Sequence, residues 1–225
     1  MNIEQARFNM IEQQIRPWNV LDTSVLDLLA EVKREDFVPA AQKALAFADM
    51  EIPLLGSGET AMNLGQCMLE PRLEARMLQD LAVQPHETVL EIGTGSGYMA
   101  ALLGKKAQRV VSLEVVPELV AMARTNLRNA GIQNVEVREA DGSKVGGADG
   151  NFDVIILSGS VAEVPDQLLR LLNTGGRLGA IVGDEPVMRA TVVTKAPDGS
   201  FSTAQGWDTV APRLRNFPER SRFEF

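Results

Sequence analysis

Short strand-like runs alternate with stretches of helical periodicity along most of the chain. The runs are TVLEI, RVVSLEV, NVEVREA, FDVIILSG and RLGAIVG, and the helical stretches cover 71–81, 98–106, 117–130 and 165–172. Apolar runs separated by helices are typical of a parallel sheet that is covered on both faces. Two later segments, ATVVTKA and the region 201–214, predict an antiparallel edge hairpin with PDGS as its turn. The pattern therefore predicts an α/β fold with a doubly wound, mostly parallel seven-stranded sheet.

The first seventy residues have a different pattern. Residues 3–14 and a segment beginning after Asp22 and Thr23, both candidate N-cap residues, predict two helices. The stretch GSGETAMNLGQCMLEP is glycine-rich and has no clear period, which predicts a long loop of the kind that often covers a binding site. We expect a helical extension and binding loop over 1–70 and a ligand-binding core over 71–225, packed as one compact unit.

Composition narrows the classes of function. The 225 residues fit one α/β domain, and a formal charge of -8 provides no basic field, so we expect no nucleic-acid partner and no membrane association. A single cysteine and a single histidine exclude disulfides, zinc clusters and any Ser-His-Asp or Cys-His pair built on a second histidine, and we expect no metal. The N-terminal MNIEQARFNMIEQQIRP carries charges throughout, which favours a cytoplasmic protein.

A glycine-rich turn, VLEIGTGSGYMAA over 89–101, joins the first core strand to a helix. Such a turn usually binds the pyrophosphate of a dinucleotide at the helix N-terminus. Here Tyr98 stands where the dinucleotide fingerprint has its third glycine. Glu91 would repel a pyrophosphate and attract a ligand with an ammonium or sulfonium group. S-adenosyl-L-methionine carries both groups, so the turn predicts this ligand.

Two further acids end the next strands. Glu114 could accept hydrogen bonds from both ribose hydroxyls, and Asp141 from the adenine amino group. Each has a simpler interpretation, a solvated acid or an Asp-Gly turn, and the glycines could form a plain tight turn. Their placement at successive strand ends favours a cofactor site. The candidate cofactor-binding residues are Glu91, Gly93, Thr94, Gly95, Ser96, Gly97, Glu114, Val115, Asp141 and Gly142.

These residues and their flanks resemble a known family. VLEIGTGSGY, MIEQQIRPWNVLDTSVLDLLAEVKREDFVP, FADMEIPL and VAPRL are similar to segments of the protein-L-isoaspartate O-methyltransferases, which are class I S-adenosylmethionine-dependent enzymes. The resemblance implies a Rossmann-like methyltransferase fold, with 71–225 as the cofactor-binding core. It also implies carboxyl methylation of isomerised aspartate in a protein or peptide, as a step of protein repair, with S-adenosylhomocysteine as product. Because a carboxylate is already ionised at neutral pH, its methylation needs no general base.

One loop departs from the family pattern. The family's G-Q-T-I-S-Q-P aligns with GQCMLEP over 65–71, so Cys67 and Leu69 replace a threonine and a serine. Leu69 cannot donate a hydrogen bond to a carboxylate, and Glu70 would repel one if it faced the site. We therefore assign no catalytic residue. The candidate substrate contacts are Gln66, Pro71 and Ser158.

Several other residues allow two interpretations. Ser158 and Ser160 could contact substrate, but capping of the following helix is favoured, and Ser57 and Thr60 could supply replacement hydroxyls from a loop that is otherwise typical of a flexible one. Cys67 is expected to be a small buried residue and not a nucleophile. Trp18 and Trp207 are expected to be packing residues. The tail RLRNFPERSRF is expected to be a solvated edge, although its arginines could attract a carboxylate substrate.

Three hypotheses follow for the function. The first is an isoaspartate-type carboxyl methyltransferase; the second is a paralogue that methylates another acceptor, such as a small molecule; the third is a cofactor-binding protein without turnover. All three share the fold and the cofactor site. The substrate loop, and above all the direction in which Leu69 and Glu70 point, distinguishes them.

Overall fold

A central seven-stranded sheet organises the chain, whose residues 2–56 and 58–219 are described by the computed structural model. Its strands are β3 (Thr88–Ile92), β4 (Arg109–Glu114), β5 (Val135–Glu139), β6 (Phe152–Val161), β7 (Leu172–Asp184), β8 (Val187–Lys195) and β9 (Phe201–Thr209). Their spatial order is β5-β4-β3-β6-β7-β8-β9. The first five are parallel, and β8 and β9 are antiparallel to their neighbours. The predicted fold class and the edge hairpin are confirmed.

Helices connect the parallel strands and precede the sheet. They are α1 (Ile3–Met10), α2 (Thr23–Glu31), α3 (Gly58–Asn63), α4 (Pro71–Leu81), α5 (Tyr98–Lys106), α6 (Pro117–Asn129) and α7 (Asp166–Leu169). Asp22 caps α2 by accepting a hydrogen bond from the Ser24 N–H, and α4 and α6 each begin with a proline. After α1 the chain continues as a π-helical turn over Ile11–Ile15 and a 3-10 turn over Arg16–Trp18.

Apolar side chains cover both faces of the sheet. Along β3, Val89 belongs to the cluster on one face and Leu90 to the cluster on the other, as the two-residue alternation of a strand requires. The first cluster contains α4, α5 and α6 residues together with Met10 and Leu29 from the N-terminal helices. The N-terminal segment and the sheet therefore share one core, and the boundary between 1–70 and 71–225 stays a prediction.

The structure corrects three predicted elements. The predicted loop over 56–70 contains α3 and a two-residue strand β2 (Cys67–Met68), which pairs antiparallel with β1 (Ile52–Pro53). Elements this short have too few residues to show a period. The helix predicted over 165–172 ends at Leu169 because Leu172 already pairs with Phe152 in the sheet, and β9 ends at Thr209 and not near 214.

The segment after β9 returns across the carboxyl ends of the parallel strands. The Ser160 N–H donates to the Pro212 carbonyl at 2.7 Å, and the Leu214 N–H donates to the Ser160 carbonyl at 2.9 Å. This pairing places residues 213–217 over the ends of the central strands. No helix in the described part of the chain is long and apolar enough to cross a membrane.

Candidate ligand site at the carboxyl ends of the strands

A cleft with about 620 Å³ of empty space, part of it open to solvent, lies beyond the carboxyl ends of β3, β4, β5 and β6. Open doubly wound sheets bind their ligands at this edge, and the volume suits a small molecule. Of the predicted site residues, the cleft is lined by Gln66, Gly93, Gly95, Glu114, Val115, Asp141, Gly142 and Ser158. The structure therefore brings together residues that are up to 92 positions apart, from Gln66 to Ser158.

The glycine turn leaves room for the cleft at one position in particular. Gly93 has φ +95°, and a Cβ built there would lie 2.8 Å from Leu214 Cδ2 and 3.1 Å from the Ser158 carbonyl oxygen. An L side chain is therefore disfavoured both by conformation and by space. Gly93 lets the backbone after β3 lie against the opposite wall of the cleft.

The remaining predicted turn residues serve packing. Gly97 caps α5, and its backbone lies against Ala123 of α6, 3.2 Å from a Cβ built on the glycine. Thr94 is buried with its hydroxyl 2.5 Å from that of Ser112. The Ser96 carbonyl accepts a hydrogen bond from Asn126. These contacts fix the turn between β3 and α5 without lining the cleft.

Glu114 is held by three backbone N–H groups. Its Oε2 accepts from Gly95 at 2.9 Å, and its Oε1 accepts from Val115 at 2.9 Å and from Val116 at 3.0 Å. Carboxylates that accept several N–H hydrogen bonds are fixed in orientation. The side chain thus spans the turns that follow β3 and β4, at the floor of the cleft.

Asp141 forms the next acidic position along the cleft. Its Oδ1 accepts from the Ser143 N–H and hydroxyl, and its Oδ2 lies 3.0 Å from Asn216 Nδ2 and 3.1 Å from Lys144 Nζ. Burial raises the pKa of Asp141, but the hydrogen bonds from Ser143 and the Lys144 charge outweigh this effect and hold the pKa below its ordinary value. The carboxylate is ionised and its position is fixed.

Glu91 lies behind the wall of the cleft. It is fully buried, and its carboxylate accepts hydrogen bonds from Ser112 at 2.6 Å and from Ser158 at 2.9 Å. Burial raises the pKa of Glu91 to about 7, against the effect of both serines. Ser158 itself lines the cleft, so Glu91 faces the ligand space through that hydroxyl.

The two serines after β6 do not cap a helix. Ser158 donates to Glu91, Ser160 donates to the Ala211 carbonyl, and α7 has no side-chain cap. The capping interpretation is wrong because the chain continues from both serines as strand to Val161, well before α7 begins. Their hydroxyls instead fix the glutamate of β3 and the returning C-terminal segment.

The divergent loop points its replaced residues in different directions. Cys67 lines the cleft, and burial raises the pKa of its thiol, which argues against a nucleophilic role. Leu69 is 7% exposed and packs in the main core, while Glu70 occupies the N-cap position of α4 without a side-chain hydrogen bond to the helix. Neither Leu69 nor Glu70 lines the cleft. Pro71 begins α4 and is likewise outside the cleft.

The buried Arg34 stabilises the backbone of this loop through hydrogen bonds. Arg34 is fully buried and donates to the Leu69 carbonyl at 2.5 Å and to the Ala46 carbonyl at 3.2 Å. Its Nε lies 3.8 Å from Glu74, whose pKa is raised to about 8 because it is fully buried. The loop backbone between cleft and core is therefore tied to the N-terminal segment.

The sequence prediction missed the wall formed by the C-terminal segment. Arg213, Leu214, Arg215 and Phe217 line the cleft, and Arg213 pairs with Asp184 at 2.7 Å. The tail was expected to be a solvated edge whose arginines could attract a carboxylate substrate. The solvated edge is wrong for Arg213, Leu214 and Phe217, whereas Arg215 is exposed; the last part, 220–225, lies outside the described residues. The VAPRL similarity was the available signal, since it includes the first two of these positions.

The doubly wound sheet and its acid-lined cleft are features of Rossmann-like methyltransferases. The sequence matches the profile of the family Protein-L-isoaspartate(D-aspartate) O-methyltransferase (PCMT) over residues 5–210. It is 36% identical over 206 residues to Protein-L-isoaspartate O-methyltransferase 1 of Syntrophobacter fumaroxidans, which covers 92% of each chain. It is also 38% identical over 189 residues to Protein-L-isoaspartate O-methyltransferase of Koribacter versatilis, and this match covers 84% of this chain and 82% of the relative.

A solved structure has the same fold. It is a Plasmodium falciparum chain described as a protein-L-isoaspartate O-methyltransferase in complex with S-adenosyl-L-homocysteine. The two chains superpose with a TM-score of 0.76 at 20% sequence identity, and the match covers 93% of this chain and 98% of the Plasmodium chain. The chain belongs to the PCMT family. Members are S-adenosylmethionine-dependent methyltransferases that act on isoaspartyl residues, so the predicted family, enzyme class and cofactor are confirmed.

Proposed function

We propose that this chain binds S-adenosylmethionine in the cleft and methylates the carboxylate of an isoaspartyl residue in a protein or peptide. The observation that carries the proposal is the polarity of the cleft. The acids Glu114 and Asp141 and the basic residues Arg213 and Arg215 all line it. Arg213 is already paired with two carboxylates, whereas Arg215 has no ion pair among the described residues. A cationic adenosyl ligand suits the two acids, and an anionic acceptor suits Arg215.

The cleft fits the cofactor in shape as well as charge. Gly93 and Gly142 line the cleft without a side chain, and Gly142 packs directly against Ile92, since a Cβ built on it would lie 2.2 Å from Ile92 Cγ2. Apolar side chains, among them Val116, Leu119 and Phe217, offer a face for the adenine ring. Glu114 has the chemistry to accept from the ribose hydroxyls, and Asp141 from the adenine amino group.

The protein itself contributes to catalysis by orienting the carboxylate that accepts the methyl group. S-adenosylmethionine, when bound, supplies a methyl group on a positively charged sulfur. An isoaspartyl carboxylate has a pKa near 4, so it arrives ionised and needs no base. Aligning and desolvating it between the loop over 65–67 and Arg215 would supply the rate enhancement.

The position of Leu69 supports this function over a paralogue with another acceptor. An apolar side chain in the acceptor space would leave a carboxylate without a partner, but Leu69 packs into the core instead. Gln66 lines the cleft and offers a polar group in place of the family's hydroxyls; Ser158 lines it too, but its hydroxyl donates to Glu91. A divergent loop is thus compatible with the family's substrate.

The test is methyl transfer from labelled S-adenosylmethionine to an isoaspartyl peptide, with the normal aspartyl peptide as control. Selective labelling supports the proposal, and Arg215→Gln should raise KM more than it lowers kcat. Binding of S-adenosylhomocysteine by calorimetry separates the alternatives. Binding without labelling would support either a paralogue with another acceptor or a cofactor-binding protein without turnover, which a screen of other acceptors distinguishes. No binding would contradict all three hypotheses.

A further inference from the structure

A second depression lies beside the cleft and contains both tryptophans of the chain. We call it the tryptophan groove; its main walls are Trp18, Arg72, Arg76, Val187, Trp207 and Val210. Trp18 was expected to be a packing residue, yet 46% of its surface is exposed. Val187 and Val210 are also exposed, at 55% and 41%. Exposed apolar surface gathered around charged groups is typical of a binding surface.

Each tryptophan of the groove is stacked with an arginine from α4. The guanidinium carbon of Arg72 lies 4.1 Å from the Trp18 ring centroid, and that of Arg76 lies 4.9 Å from the Trp207 centroid. The Trp207 indole N–H donates to Asp80 at 2.9 Å, which fixes the ring. A guanidinium that stacks on an indole keeps its N–H edge available for hydrogen bonds.

The charges of the groove favour an anion. Within the described residues Arg72 pairs with Asp49 at 2.8 Å, whereas Arg76 makes neither an ion pair nor a hydrogen bond. Two of the nearby acids already have partners: Asp208 pairs with Arg189 at 3.0 Å, and Asp80 accepts from the Trp207 indole. Burial raises the pKa of the third, Glu70. Arg76 therefore presents a cation that is stacked on the Trp207 ring and has no ion pair among the described residues.

The groove and the cleft share two walls. Cys67 lines the cleft and Glu70, three residues later, lines the groove; likewise Val210 lines the groove and Arg213 lines the cleft. Three residues span at most about 10 Å. A polypeptide with one residue in the cleft can therefore reach the groove with the residues beside it.

We propose that the tryptophan groove binds an acidic segment of the polypeptide substrate, adjacent to the methyl acceptor, and that Arg76 receives its carboxylate. This inference rests on the proposed function, since it extends the substrate from one residue to its flank. Arg76 would act on recognition and not on the methyl transfer itself. Acidic flanks should therefore lower KM while kcat stays unchanged.

The first test uses fluorescence and needs no turnover. Because both tryptophans line the groove, intrinsic tryptophan emission reports on this surface alone. We would titrate the protein with a peptide that carries two glutamates and no isoaspartyl residue, and with its glutamine twin. We expect the glutamate peptide to change the emission and to bind about tenfold more tightly, as for one charge-assisted hydrogen bond. Equal response to both peptides would overturn the proposal.

The second test compares variants in methyl transfer. Isoaspartyl peptides with glutamates or glutamines placed two residues to either side are assayed with wild type, Arg76→Gln and Arg76→Lys. Arg76→Gln should lose the preference for glutamate in KM, and Arg76→Lys should retain part of it. Arg128→Gln removes the same charge from the exposed surface of α6 and should keep the full preference. An unchanged preference in Arg76→Gln would contradict the proposal.

The two tests separate the two proposals. If no isoaspartyl peptide is methylated, the proposed function fails, and the fluorescence titration still decides whether the groove binds acidic peptides. If isoaspartyl peptides are methylated without any preference for acidic flanks, the groove proposal alone fails.

Discussion

The three acids at the ends of β3, β4 and β5 show how strongly surroundings decide what a carboxyl group does. Glu91 is buried with two serine hydroxyls, and its pKa is raised to about 7. Glu114 is held by backbone N–H groups, and Asp141 by Ser143 and Lys144. The same chemical group can therefore tune a charge, fix two turns or present an acceptor.

Glu114→Gln should weaken binding of S-adenosylhomocysteine. The amide has one acceptor oxygen where the carboxylate has two, so it cannot accept from Gly95 on one side and from Val115 and Val116 on the other. We expect a loss of about tenfold or more in affinity, or about 1.4 kcal/mol per factor of ten, measured by calorimetry. Glu118→Gln, an exposed position at the start of α6, is the matched control and should bind like wild type.

Glu91 should make binding of the cationic cofactor depend on pH. With its pKa raised to about 7, Glu91 is protonated below that pH and ionised above it. Only the ionised form attracts a sulfonium, so affinity for S-adenosylmethionine should fall as pH drops from 8 to 6. Affinity for S-adenosylhomocysteine, which lacks the sulfonium charge, should fall less.

Calorimetric titrations of both ligands across this pH range measure the difference. In Glu91→Gln the affinity for S-adenosylmethionine should be lower at pH 8, and the separate pH response of the two ligands should disappear. If the wild-type ratio of the two affinities does not change with pH, Glu91 does not act on the sulfonium.

At the scale of elements, the turn between β3 and α5 divides its glycines between two tasks. Gly93 faces the cleft, where Leu214 and Ser158 lie opposite it, and Gly97 lies against Ala123 of α6. Glycines with the same positive φ can thus serve a ligand site or helix packing. Which one applies depends on the elements opposite each glycine.

Gly93→Ala should lose ligand affinity, whereas Gly131→Ala should not. Both glycines have positive φ, but nothing lies within 4 Å of a Cβ built on Gly131. Each variant should lose about 1 to 2 kcal/mol of unfolding free energy from backbone strain. Gly93→Ala alone should displace Leu214 or Ser158 and so weaken S-adenosylhomocysteine binding. Denaturant unfolding measures the loss of stability, and calorimetry measures the loss of affinity. Equal affinity in both variants would mean that Gly93 only sets the backbone.

Elements with a long period were predictable from the sequence, and those defined by tertiary contact were not. The helices α4 and α5 have the predicted bounds because their apolar positions repeat over nine residues or more. The two residues of β2 and the six of α3 carry no period. The return of 213–217 over the cleft depends on pairing with Ser160, a contact across more than fifty positions that no local pattern encodes.

The residues of the candidate site show the same difference between positions that the sequence predicts and positions set by tertiary contacts. Residues at strand ends, such as Glu114 and Asp141, follow from topology because parallel strands end at one edge. Whether the Leu69 side chain points into the core or into the cleft depends on Arg34. This residue lies 35 positions earlier in the chain, and its guanidinium donates to the Leu69 carbonyl. Similarity in sequence could locate the loop but not its orientation.

At the scale of the whole molecule, the N-terminal segment and the sheet stabilise one another. Met10 and Leu29 lie in the same apolar cluster as residues of α4, α5 and α6, and the buried Arg34 bonds to the substrate loop. The segment therefore completes the core on one face and supports the site. An extension that folded separately would need a core of its own.

We therefore expect the chain to unfold in one cooperative transition. Trp18 follows the first helix and Trp207 lies in the last strand, so Trp18→Phe and Trp207→Phe variants leave one fluorescent probe at each end of the chain. Their transitions in urea should coincide with each other and with loss of helical circular dichroism.

Bound ligand should shift both probes together. Saturation with S-adenosylhomocysteine at about 100 times its Kd stabilises the folded state by about 2.7 kcal/mol, and a single cooperative unit transmits this to every probe. The Trp18 transition should therefore move to higher urea as far as the Trp207 transition does, although Trp18 lies outside the cleft. A Trp18 transition that comes earlier and ignores the ligand would mean that the N-terminal segment unfolds on its own, and that the core it shares with the sheet contributes little to holding the site.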